Sequence, residues 1–243
     1  MCWSEQCPRV ERYTNSRRQI KQMPNAKTNQ DQRVATYLAE SACPRLAIGV
    51  WRHSLEGWLN TDLDPVEPNV LPLDATKPFP FDNDLFDYVA SEHVIEHVSF
   101  AAGQHMLAES FRILKPGGRI RIATPDLQRY LQLFNPRLTL IQRRFLDWVI
   151  QTFMPDALPT YPTYALNNIF YNFGHQAIYD FTLLSAMVRN VGFEDVKAYP
   201  PGLSDCEVLR GIEMHGKAIG EDINEYETMV LEAGKPRVRK SGP

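Results

Sequence analysis

His93-Val94-Ile95-Glu96-His97 is the densest run of chemically able side chains in the sequence. Its H-x-x-E-H spacing is a zinc metalloprotease pattern. That chemistry needs both histidines on one helix face and a distant carboxylate as a further ligand. A second chemistry open to the same region is proton transfer. His93, His97, Asp126 and His175 are the residues able to take a proton from a hydroxyl nucleophile, and for each the competing use is a structural hydrogen bond. A third set, Gly49, Asp62, Asp74, Ser91 and Thr124, closes or follows short apolar runs. Cys2, Cys7, Cys43 and Cys206 are scattered with no C-x-x-C pair and read as reduced thiols.

These residues need elements to position them. Residues 31–41 (DQRVATYLAES) predict a helix, with Val34, Tyr37 and Leu38 on one face. Leu46-Ala47-Ile48-Gly49-Val50 predicts a buried strand ending at Gly49, and residues 58–62 a second strand ending in Asp62. A short apolar piece, residues 69–71, leads to Asp74, and the proline-rich residues 77–81 form a loop. Residues 86–91 predict a strand, and residues 104–114 a helix stopped by Lys115-Pro116-Gly117-Gly118. The next strand spans Arg119–Thr124. This rhythm implies βαβ units, a mostly parallel doubly wound α/β sheet, and a ligand site beyond the carboxyl ends of its strands. Gly49, Asp62, Asp74, Ser91 and Thr124 then gather on one edge.

Residues 127–174 break the rhythm with helical, aromatic-rich sequence, read as an insert that caps the site after the fifth strand. Leu184, Met187, Val188 and Val191 return to an amphipathic helix closed by Gly192. Late strands are expected near 196–199 and 212–218, then a C-terminal helix and a basic tail over residues 221–243. Residues 1–30 are polar and basic and predict a flexible arm. The net charge of −3 supplies no electrostatic drive toward nucleic acid. No apolar run reaches the roughly 18 residues of a membrane span, and the polar start predicts a cytoplasmic protein.

LAIGVW, EGWLNTDLDP, LDATKPFPFDNDLFDYVASEHVIEHV and AESFRILKPGGRIRIATPDL stand in an order that resembles a class I S-adenosylmethionine (SAM)-dependent methyltransferase of type 11. FGHQAIYDFTLLSAMVRNVGF and RGIEMHG look like the tail of the same group, so the resemblance covers roughly residues 31–220. It implies SAM as cofactor and accounts for the H-x-x-E-H run without a metal. The turn at Gly49 would bring backbone N–H groups to the cofactor. Asp62, with Asp64 as the alternative, would take the ribose hydroxyls. Asp74 and the Ala75 backbone would take the adenine, and Ser91 and Glu92 would lie under the methionine portion. His93 and His175 are the candidate proton acceptors.

The family pattern has G-x-G after the first strand, and this chain has Gly49-Val50-Trp51. An indole there occupies space a ligand needs. Trp51 turns outward, reshapes the pocket, or fills it. The resemblance implies methyl transfer to a small-molecule or saccharide-like acceptor. The alternative is a non-catalytic binding or assembly protein whose cofactor pocket Trp51 has altered.

Overall fold

The computed structural model describes residues 24–157 and 160–237. Helix α1 (Pro24–Glu40) is followed by β1 (Arg45–Ile48), β2 (Leu59–Asp62) and the short β3 (Leu71–Pro72). β4 (Phe86–Glu92), α2 (Phe100–Ile113) and β5 (Leu114–Pro125) complete the first half. The strands pair in the order β3-β2-β1-β4-β5-β7-β6. All contacts from β3 through β5 are parallel, and β7 (Thr228–Gly234) runs antiparallel to both β5 and β6 (Glu194–Tyr199).

Local chemistry explains the boundaries. Ser99 caps α2 by accepting from the Ala102 N–H at 3.3 Å. Asp126 caps α3 (Leu127–Gln132) in the same way, and Thr139 with Gln142 forms a capping box at α4 (Leu140–Phe153). α5 (Pro162–Tyr171) opens on proline. α6 (Phe181–Val191) is capped by Asp180 and closed by Gly192 in the left-handed conformation that glycine adopts without penalty. α2 and α6 pack on the sheet, and Met106, Leu107, Leu184 and Val188 join Leu46, Ile120, Ile122 and Leu231 in the main core. The insert has a second core, in which Tyr130, Phe145, Val149 and Ile169 pack against Ile223 and Tyr226 of α8 (Glu221–Glu227). Most insert aromatics therefore serve helix packing, and Tyr161, Phe170 and Tyr171 face solvent.

Three expectations are corrected. Residues 24–30, assigned to the flexible arm, are the first turns of α1; the rest of the arm and residues 238–243 of the tail lie outside the described residues. No strand forms at 212–218: the N–H groups of Met214 and His215 donate to the Glu92 carboxylate instead of a neighbouring strand, and α7 (Gly216–Ile219) follows. The seventh strand is β7, in the segment read as a helix and tail. An acid amid Met229, Val230, Leu231 and Ala233 obscured it, yet Glu232 is buried because two arginines of β5 pair with it. Among the described residues no helix is long and apolar enough to cross a membrane.

Candidate functional site

The sheet brings the ends of β1 and β4 side by side, with Ile48 paired to Ser91. A cavity of about 300 Å³ opens there, at the lower end of small-molecule sites (roughly 300–1,000 Å³). Gly49, Val50, Trp51, Ser91, Glu92 and Arg121 of β5 line it. Trp148, Thr152 and Phe153 of α4 cover it, so the insert caps the site as expected. Glu213, Met214 and His215 close the last side. Trp51 is thus part of the cavity wall.

Backbone geometry at the glycine turn is tight. Gly49 has φ 74°, and a Cβ there would lie 2.3 Å from Val94 Cγ2, so glycine is required for packing as well as conformation. Trp51 also sits in the left-handed region at φ 48°, uncommon for a large residue. Its N–H donates to Asp62 Oδ2 at 2.7 Å, and the Asp64 N–H donates to Asp62 Oδ1 at 3.1 Å. The N–H groups of Gly49 and Val50 both donate to the Thr61 carbonyl.

The sequence-predicted residues therefore divide. Gly49, Trp51, Ser91 and Glu92 line the cavity. Asp62 lies behind the Trp51 loop, holding it. Asp74 accepts from the N–H and hydroxyl of Thr76, and Ala75 is buried; neither is on the cavity wall. His93 and His175 are also off the wall. His93 stacks on His215 with ring centroids 4.0 Å apart, and His215 is the residue that reaches the cavity. His175 packs against His97 at 4.7 Å and directs Nδ1 to the Ile169 carbonyl at 2.7 Å. His93 and His97 face different groupings, so the shared helix face that the metalloprotease pattern needs is not formed. Thr124 donates to Glu96 Oε2 at 2.9 Å, behind the cavity.

Sequence reading missed Arg121, Trp148, Glu213, His215 and Glu227. The signal for two of them was present, since Glu213 and His215 belong to the RGIEMHG run. Arg121 looked like an ordinary strand residue. It is buried, and bonds to Glu213, to Glu232 and to the Leu203 carbonyl.

Behind the cavity lies a buried charged cluster. His93 Nδ1 meets Glu96 Oε1 at 3.1 Å. Burial opposes charge on His93, but the Glu96 hydrogen bond and charge outweigh it and raise its pKa above the ordinary 6.5. Burial likewise opposes charge on Glu96, and the bond to His93 overcomes it, holding this carboxyl well below the usual range. Glu227 is pushed up to about 7, chiefly by burial.

Strand order and the reversed β7 are those of the class I methyltransferase fold, with the cavity at the ends of β1 and β4. Residues 31–122 match the family model described as a methyltransferase domain, the segment that builds α1 through most of β5. A search of curated proteins finds no match. Among solved structures, a SAM-dependent methyltransferase from Archaeoglobus fulgidus is 17% identical, with a TM-score of 0.48 and coverage of 86% of this chain and 94% of that one. Phosphoethanolamine N-methyltransferase 2 of Haemonchus contortus, in complex with S-adenosyl-L-methionine, is 14% identical, with a TM-score of 0.44. That match covers 86% of this chain, which spans only 53% of the Haemonchus contortus protein. A Haloferax volcanii complex containing the Trm112 methyltransferase activator gives 13% identity, a TM-score of 0.45 and coverage of 95% of this chain and 99% of that one.

Proposed function

We propose that this protein is a SAM-dependent methyltransferase acting on a small-molecule or saccharide-like acceptor in the cytoplasm. The observation that carries the reading is the cavity at the carboxyl ends of β1 and β4, bounded by the Gly49 turn, with about half of its lining residues in the family-matching segment. SAM, when bound, supplies a methyl group already activated by its sulfonium.

The residues fit that cofactor unevenly. Ser91 Oγ is buried on the cavity wall with no hydrogen-bond partner among the described residues, which suits a polar ligand group. The apolar sides formed by Ala47, Ile48 and Ala90 suit a methionine chain. Asp62 would take the ribose hydroxyls by exchanging its bond to the Trp51 N–H for them, and Asp74 with Ala75 would hold adenine. Catalysis would rest mainly on holding the acceptor in line with the methyl group, under the α4 cap. His93 and His175 stand behind the wall, so the cavity lining gives no support to direct proton transfer by either.

The consumed N–H groups of residues 49–51 favour a second reading, a methyltransferase fold used for binding or assembly. Calorimetric titration with SAM and S-adenosylhomocysteine separates the two. Micromolar binding, about −8 kcal/mol, supports the enzyme. Binding by Trp51→Gly alone supports the non-catalytic reading with an occluding indole, and binding by neither protein refutes a SAM site. Methylation of saccharide and small-molecule acceptors, set against protein and nucleic acid, tests the acceptor class.

A further inference from the structure

Four of the six histidines, His93, His97, His175 and His215, converge with Glu96 and Glu227, and of these His215 lines the cavity. They come from four separate places in the chain: the end of β4, the turn after α5, the loop before α7 and the end of α8. One ligand atom each from His93, His215 and Glu227 lies within 4.8 Å of the others. In a tetrahedral zinc site with Zn–N near 2.0–2.1 Å, ligand atoms stand about 3.3 Å apart. The three are thus within a small side-chain adjustment of that spacing, and His215 lies on a partly exposed loop that can give it.

We infer that His93, His215 and Glu227 form a binding site for a divalent transition-metal ion of the zinc type, with Glu96 as the carboxylate that orients His93. The arrangement follows the usual construction of such centres, in which a ligating imidazole directs its other nitrogen to a carboxylate. Glu96 engages His93 through Nδ1, leaving Nε2 on the side of Thr228, 3.3 Å from its hydroxyl oxygen. His93 is held at φ 48°, a left-handed backbone for a non-glycine residue, and this turn at the strand end sets the ring against His215. Glu96, His97 and His175 form a neighbouring grouping of the same compactness. There, however, both Glu96 oxygens are already engaged, one by His93 and the other by the Thr124 hydroxyl. The ion would tie the loop carrying His215, which walls the cavity, to β4 and α8. It displaces protons from its ligands as it binds.

The test uses the full chain, stripped with EDTA and dialysed, with no SAM present, so its result stands apart from the fate of the methyltransferase reading. Zinc is titrated calorimetrically, and Co(II) is followed by its visible absorption bands. The expected result is one ion per chain. His215→Ala loses at least tenfold in affinity, with His215→Gln as the second variant should alanine unfold the loop. Glu96→Gln still binds but 10–100-fold more weakly, and His97→Ala binds like the wild type. No stoichiometric ion overturns the site. A loss on His97→Ala equal to that on His215→Ala overturns this ligand set.

Discussion

Replacing Arg121 with methionine removes a cation that spans two buried acids. Arg121 is 1% exposed, Glu232 0% and Glu213 5%. In the variant, Glu213 keeps the Gly202 N–H at 2.9 Å, and Glu232 keeps Arg119 at 3.6 Å. Breaking a buried ion pair costs about 3–5 kcal/mol, because the remaining charge is stranded in low dielectric. Each acid retains one partner, so the cost stays within that range instead of doubling, at about 4 kcal/mol. At about 2–4 °C per kcal/mol for a chain of this size, Tm falls by about 8–16 °C. Urea denaturation of the wild type, Arg121→Met and the triple variant Arg121→Met/Glu213→Gln/Glu232→Gln measures it. The triple variant recovers most of the loss, since neutral amides are not stranded charges. A loss below about 1 kcal/mol, or a triple variant no more stable than the single, would refute the assignment of the cost to stranded charge. The same change removes the tie between Glu213 and β5, so the loop that walls the cavity loosens as well.

Gly49→Ala combines a left-handed φ with a Cβ 2.3 Å from Val94; it should cost about 2 kcal/mol or more, and Gly49→Ala/Val94→Ala should recover only the steric part. Were the double variant as stable as Val94→Ala alone, the backbone argument would fail. Glu109 bonds Arg112 and the Phe79 N–H, and the Arg112 bond holds its pKa below the ordinary 4.5. Its stabilising effect is therefore present above about pH 4.5 and lost as pH falls through its lower native value. Glu109→Gln should be less stable than wild type at pH 7, with the gap narrowing in acid; a gap independent of pH would contradict this linkage. Phe145 is fully buried in the second core, so Phe145→Ala should cost about 3–5 kcal/mol and weaken ligand binding by loosening α4 over the cavity, which tryptophan emission and SAM titration would register together.

Apolar runs closed by glycine or an acid were enough to locate β1, β2, β4 and the core of β5 in the sequence, because a buried parallel strand writes its burial into consecutive residues. The strand ends at Gly49, Ser91 and Glu92 were legible for the same reason, and they do line the cavity. What the sequence could not express was pairing across long separations. The segment holding Glu232 reads as helix and tail, and its burial in β7 rests on the pairing with Arg119 and Arg121. Asp62 reads as an acid waiting for a ligand, and tertiary structure turns it onto the Trp51 N–H. His93 and His215 are 122 residues apart, yet their rings stack. Local periodicity determines which segments bury their side chains. Which charges and imidazoles meet inside is decided only when the sheet, the insert and the final helix close on one another, because burial makes each unpaired charge too costly to leave alone.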